Sequence, residues 1–346
     1  MNMAKKNIRE EILIIMNREK FIALIIMLLC IISIIIGIFL LAKEKVLTKP
    51  WDSPGVTSII AENSDAIGVV DLYGEIDFQP SSLAFGASSG ADSIVEKINR
   101  FAKNSRVKAI IIRINSPGGT VGATQEIYDS IIRARKKGIK VVASLGDIAA
   151  SGGYYVASAS DKIVANRGTI TGSIGVLITS PNLKELFEKY GIKYNVIKSG
   201  KHKDILAFWR DLSTEEQELL QITINNVYEQ FVKAVSEGRK IKVEKIKEIA
   251  DGRIFSGEQA FEIGLVDDLG GFEEAKDLAA RLAHIKGEPV ILKDIPSPFE
   301  KIFKLLNTET GNKIRNVDIL DKTPLKYLYP GSLKLVESLI NNNIGN

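Results

Sequence analysis

Ser151 stands in the run Ala149-Ala150-Ser151-Gly152-Gly153, a hydroxyl whose neighbours have almost no side chains. With Ala149 in place of the first glycine, the spacing is that of a G-x-S-x-G elbow. Such an elbow is a sharp strand-to-helix turn that exposes a serine Oγ for nucleophilic attack. Taken alone, the same serine reads as an ordinary helix N-cap. A second loop, Asn115-Ser116-Pro117-Gly118-Gly119, carries two glycines whose uncovered N–H groups suit an oxyanion. By itself it is a plain Pro-Gly turn. Together the two loops favour chemistry, because each follows an apolar strand, and parallel α/β sheets bind ligands at the carboxyl ends of their strands.

A serine hydroxyl barely ionises at neutral pH, so a nucleophilic serine needs a base. The chain has two histidines, His202 and His284. His284 lies in the charged helical stretch Arg281-Leu-Ala-His-Ile-Lys-Gly-Glu288 and reads as a surface residue. His202 lies between Lys201 and Lys203 in Ile197-Lys-Ser-Gly-Lys-His-Lys-Asp204, and either it or a lysine of that segment is a candidate base. Lowering an ordinary lysine pKa of about 10.4 by roughly 3 units costs about 4 kcal/mol, which burial in an apolar cleft can impose. Without such a cleft, Lys198, Lys201 and Lys203 are surface charge.

The surrounding pattern must place these loops. Ala66–Leu72 and Val107–Ile114 are apolar runs suited to buried strands, and residues 91–104 between them have helical spacing at Ile94, Ile98 and Phe101. Strand, helix, strand implies a parallel pair with a right-handed crossover. The unit recurs as a helix over Gln125–Lys136 and a strand over Lys140–Ser144, followed by an Ala-rich segment from Tyr154. Further strands are expected at Lys162–Ala165, Tyr194–Ile197 and 265–269. Ser213 with Glu216, and Ser256 with Gln259, form capping boxes that open two helices; the first runs toward Ser236, and Gly264 suits the left-handed end of the second. This is an α/β domain with helices packed on parallel strands. The polar stretch 81–90 reads as a loop.

At 346 residues and 45% hydrophobic, the chain can bury a full core. Its 46 basic and 42 acidic residues nearly balance, and five of the bases precede residue 21, so nucleic acid is not an expected partner. One cysteine, Cys30, excludes an intrachain disulfide framework, and two histidines argue against a histidine-built metal site. Residues 21–42 are apolar apart from Ser33 and Gly37; as a helix they would extend roughly 33 Å, enough to cross a bilayer core of about 30 Å. The run exceeds a signal-peptide h-region and lacks an A-x-A-like cleavage site, so an uncleaved single-pass anchor is expected. Lys5, Lys6, Arg9, Arg18 and Lys20 place the N-terminus in the cytoplasm. The expected layout is a cytoplasmic tail at 1–20, the anchor at 21–42, a linker at 43–65, an extracytoplasmic catalytic domain at 66–292 and a C-terminal extension at 293–346.

The ordered set Asn115-Ser-Pro-Gly-Gly119, Ala149-Ala-Ser-Gly-Gly-Tyr-Tyr155, Thr169-Ile-Thr-Gly-Ser-Ile-Gly175, Lys198-Ser-Gly-Lys-His-Lys-Asp204, Gly252-Arg-Ile-Phe-Ser-Gly-Glu-Gln-Ala260 and Gly264-Leu-Val-Asp267 resembles the signal peptide peptidase A family, in its short, anchored form. The resemblance implies a Clp protease/crotonase-like fold of repeated β-β-α units, and a serine endopeptidase with a Ser-Lys dyad and no cofactor or metal. It implies Ser151 as nucleophile, Lys203 as general base, Ser173 as the hydroxyl that orients the lysine, and Gly119 with Gly152 as the oxyanion hole. Gly118 is a further oxyanion candidate. His202 stands where the family often has an aromatic or small residue, and so remains a rival base. Implied substrates are signal peptide remnants and other apolar peptides met at the membrane surface. The implied assembly is a homo-oligomeric ring with sites shared between subunits. A related anchored Ser-Lys protease with other substrates, a crotonase-type acyl-CoA enzyme and an inert anchored scaffold are the alternatives.

Overall fold

The computed structural model describes residues 64–78 and 90–293, a strand at Leu325–Leu328, and short helical pieces at 27–29 and 31–33. The expected anchor at 21–42, the tail before it, the linker up to residue 63 and most of the loop at 81–90 lie outside the described residues, apart from those two pieces. Among the described residues, no helix is long and apolar enough to cross a membrane.

The chain from Ser64 forms one compact unit. Strand β1 (Ala66–Tyr73) leads through α1 (Ala91–Phe101) to β2 (Val107–Ser116), followed by the short β3 (Gly118–Thr120) and α2 (Val121–Lys136). Then come β4 (Lys140–Ala150), α3 (Gly152–Ser158), β5 (Lys162–Ala165), β6 (Ile170–Gly172), β7 (Leu177–Ile178) and α4 (Lys184–Lys189). The long α5 (Thr214–Arg239) precedes α6 (Val243–Lys247), β8 (Ile254–Ser256), α7 (Gly257–Glu262), β9 (Asp268–Leu269), α8 (Phe272–Leu282), β10 (Val290–Lys293) and β11 (Leu325–Leu328).

The main sheet runs β10-β1-β2-β4-β5-β9, with every neighbouring pair parallel. Beyond the end of β5, β4 continues alongside β6, which pairs antiparallel with β8. Side chains alternate across this sheet, as the period of two requires. Ile110, Ile112 and Ile114 of β2 face the core shared with α1, α2, α3 and α5, whereas Ala109 and Ile111 face Ala275 and Ala279 of α8. Because both faces are covered, the middle of β2 reads as the continuous apolar run Ala109–Ile112.

The expected strands at 66–72, 107–114, 140–144 and 162–165 form, and β2 and β4 run further than their apolar cores. Both capping boxes form, at Ser213 with Glu216 and Ser256 with Gln259, and Gly264 takes φ 79° after α7. Two local expectations need correction. Tyr194–Ile197 is not a strand: among the described residues no strand pairs with it, and Ile197 is fully exposed while Tyr194 stacks on Trp209 at 4.8 Å. The final strand narrows from 265–269 to Asp268–Leu269, with Leu265 and Val266 buried in the core instead. The C-terminal extension contributes one described strand. β11 pairs antiparallel with β3 on one side and β7 on the other, making a second, three-stranded sheet.

Candidate active site

The nucleophile loop owes its position to a register shift. Ile114 pairs with Leu145 and Ser116 with Ala149, so Asn115 alone faces Gly146–Ile148 of β4. Its side chain stabilises the bulge by accepting a hydrogen bond from the Ile148 N–H at 3.0 Å. Two threonines secure the same stretch: Thr169 Oγ1 donates to the Gly146 carbonyl and Thr171 Oγ1 to that of Ala149, each at 2.7 Å. A bulged strand bends, and here the bend carries β4 into the turn that presents Ser151.

Ser151 has φ 53° and ψ −119°, a conformation that L-residues avoid and that costs on the order of 1–3 kcal/mol. The surroundings impose it. The Ser151 N–H donates to the Gly172 carbonyl and its own carbonyl accepts from the Tyr155 N–H, both at 2.8 Å. Every residue of α3 is buried. The Tyr154 hydroxyl donates to the Leu265 carbonyl at 2.7 Å, and the Tyr155 ring lies 5.0 Å from those of Tyr128 and Phe231. Burial pushes the Tyr155 hydroxyl pKa up to about 12. The two tyrosines after the glycines thus anchor the helix that holds the serine in its strained turn.

The second loop meets the first at the glycines. The Gly118 N–H is committed to Ser116 Oγ at 3.2 Å, so Gly119 is the better oxyanion candidate of the pair. A Cβ on Gly119 would lie 1.9 Å from the Ile76 carbonyl oxygen, and one on Gly152 would lie 3.1 Å from the Gly119 nitrogen. Only glycines allow these two backbones to approach so closely. Gly152 is the first residue of α3, where an N–H has no acceptor within its own helix. A strained serine beside two converging glycine backbones is an arrangement suited to acyl transfer.

Ser173 is buried, has φ 49° and donates its N–H to the Arg253 carbonyl at 2.8 Å. It is one residue from Gly172, which holds the Ser151 N–H. Lys203 is placed differently. In the single chain it is exposed, and among the described residues its amine makes no hydrogen bond or ion pair. His202 Nε2 lies 3.2 Å from Glu215, with Glu216 beyond its other nitrogen, so its surroundings are the N-terminus of α5. Lys201 pairs with Glu215, and Lys198 with Asp204. His284 is exposed at the end of α8.

Sequence reasoning missed what holds the lysine segment. Arg210 forks onto Glu216 (2.6 and 2.8 Å) and onto Asp204 (2.8 and 3.0 Å). With the Ser213 N–H, the Arg210 guanidinium brings the Glu216 carboxyl down to about 2; Arg210 and Lys198 hold Asp204 well below the usual carboxylate range. Carboxylates with depressed pKa values stabilise the fold above their unfolded values near 4, and that contribution is lost as pH falls through the folded ones. The segment should therefore loosen below about pH 4 and be released near pH 2. Arg210→Leu should raise the acid midpoint by about 1 pH unit. Hydrogen exchange of residues 198–212 against pH reads this, and an unmoved midpoint would refute it.

Comparison with known proteins places these residues in a family. Residues 133–286 match peptidase family S49, a stretch that includes Ser151, Ser173 and Lys203. The chain is 50% identical over 211 residues to a putative protease of Synechocystis, covering 61% of this chain and 76% of that protein. It is 35% identical over 244 residues to a putative protease of Methanocaldococcus jannaschii, covering 68% of this chain and 78% of that one. It is 38% identical over 185 residues to a putative signal peptide peptidase SppA of Enterococcus faecium, with 54% of each covered. The chain thus spans about three quarters of two of these relatives and about half of the third.

Proposed function

This chain belongs to peptidase family S49 and is a serine peptidase of the signal peptide peptidase A type, and on that premise we propose an anchored endopeptidase in which Ser151 attacks and Lys203 is the base. The observation that carries the proposal is the strained φ of Ser151, fixed beside the glycine backbones of Gly119 and Gly152. Ser173 orients the lysine amine. The amides of Gly119 and Gly152 receive the oxyanion. His202 is not the base, a reading supported by its contact with Glu215.

A base amine must leave water, yet Lys203 is exposed in the single chain. The proposed solution is a homo-oligomeric ring in which a neighbouring copy covers it. The segment leading to the lysine supports this, since Leu186, Tyr190, Ile192, Tyr194, Val196 and Ile197 all carry exposed apolar surface, more than an isolated domain usually leaves uncovered. The fold is read as the Clp protease/crotonase type, with β2, β3 and α2 as one of its β-β-α units. Residues 21–42 are proposed as the single anchor, with residues 1–20 cytoplasmic and the catalytic domain on the other side, where remnant signal peptides and other apolar peptides are met.

Substrate is proposed to bind as an added strand on β3, which supplies main-chain hydrogen bonds while side chains sort into pockets. β11 supports this reading, because the chain's own Leu325–Leu328 lies antiparallel along Gly118–Thr120. An organophosphonate serine probe tests the proposal. It should label Ser151 alone, fail with Ser151→Ala, and react faster with a chain ending at Lys293. Labelling elsewhere, or none with either chain, would overturn it.

A further inference from the structure

Four threonines are buried around the two loops, and they divide into pairs. Thr169 and Thr171 donate to carbonyls of β4 and so have a structural use. Thr120 and Thr124 have none: among the described residues, each Oγ1 is buried without a hydrogen-bond partner. Thr120 is the N-cap of α2 yet makes no side-chain cap, and Thr124, one turn on, does not use the common bond back to its own helix. A buried hydroxyl without a partner destabilises a protein, and valine would fill the same space without that cost.

Thr124 is wholly buried, and its position is specific. Its Oγ1 lies 2.9 Å from the point a Cβ on Gly152 would occupy, and the Gly119 nitrogen lies 3.1 Å from that same point. The orphan hydroxyl therefore lies beside Gly152 and borders the same gap as the Gly119 nitrogen. β11 packs on α2 and α3, the helices that carry Thr124 and follow Ser151.

Resting on the proposed serine mechanism, we propose that Thr124 is a third hydrogen-bond donor to the oxyanion, beside the amides of Gly119 and Gly152. In the addition step, Ser151 Oγ bonds to the substrate carbonyl carbon, the π pair moves to the carbonyl oxygen, and the serine proton passes to the base. The oxygen then carries a full negative charge and offers Thr124 the acceptor it lacks in the free protein. A donor aimed at charge that develops in the transition state acts on kcat more than on KM.

The test compares Thr124→Val and Thr124→Ser with wild type in peptide cleavage, thermal melting and inhibition by a peptide aldehyde, whose serine adduct mimics the tetrahedral oxygen. Thr124→Val should lower kcat about 100-fold with KM within about twofold, and weaken the aldehyde by a similar factor. Its melting temperature should hold or rise, and Thr124→Ser should restore most of the rate. If Thr124→Val does not fold, Thr124→Ala removes the same hydroxyl and is read by the same criteria. A folded hydroxyl-deleted variant with wild-type kcat overturns the assignment, as does a Thr124→Ser variant as slow as Thr124→Val. Cleavage that survives Ser151→Ala would instead sink the serine mechanism, and so separates the two failures.

Discussion

Ser151→Ala and Lys203→Ala should each abolish peptide cleavage, by on the order of 10⁴-fold or more, while assemblies that mix the two dead variants regain activity. The first half follows from the chemistry, because an attacking hydroxyl and its base act as a unit and neither is of use alone. The second half follows from the exposure of Lys203 in the single chain, which leaves its amine in water unless a neighbouring copy covers it. If each site takes its serine from one subunit and its lysine from the next, a head-to-tail ring of randomly mixed variants has about a quarter of its junctions intact. Co-expression with two different tags, sequential purification and a peptide cleavage assay measure this. Stable mixed rings without activity would mean that the dyad closes within one chain or that a member is misassigned. His202→Ala should remain active, and a dead His202 variant beside an active Lys203→Ala would exchange their roles.

Gly119→Ala should be nearly as damaging, and for a different reason. The new methyl would stand 1.9, 2.5 and 2.6 Å from the O, N and C atoms of Ile76, all of them backbone and none able to rotate away. β3 would have to leave Ile76, breaking the Ile76 N–H to Gly118 and Thr120 N–H to Ile76 hydrogen bonds, each 2.8 Å. Two lost hydrogen bonds and the overpacking together predict a loss of about 3 kcal/mol in stability. A displaced Gly119 amide also predicts a fall in kcat of about 100-fold or more. Three residues on, Gly122→Ala makes a control. Among the described residues its methyl would meet only the Phe78 ring, at 3.4 Å, inside a helix where alanine is favoured by about 0.5–1 kcal/mol. It should melt at or above the wild-type temperature and keep its activity. Denaturant titration and steady-state kinetics on both variants decide the matter; a fully active, equally stable Gly119→Ala would remove Gly119 from the site.

Much of this was legible in the residues themselves. Short apolar runs located the central strands, because burial on both faces leaves the middle of β2, Ala109–Ile112, without a polar residue. Capping at Ser213 and Ser256 was legible because a capping box is a contact between neighbours in sequence, so short-range order settles it. The candidate site was legible as two small-residue loops, because a serine cleared of side chains and a Pro-Gly-Gly turn are unusual where a strand ends. What holds those loops was not, since each contact spans a long stretch of chain: Asn115 to Ile148, Thr171 to Ala149, Tyr154 to Leu265. Tyr194–Ile197 shows the opposite failure. It has strand composition, but a strand needs a partner, and among the described residues no strand pairs with it. In the same way, the length of the apolar run at 21–42 is a property of the sequence alone. The positive φ of Ser151, the 3.1 Å approach between Gly119 and a Cβ on Gly152 and the unpartnered Thr124 hydroxyl are decided by packing between segments far apart in the chain. Local propensity has no access to such distances, and they emerge only when the sheet and its helices close around them.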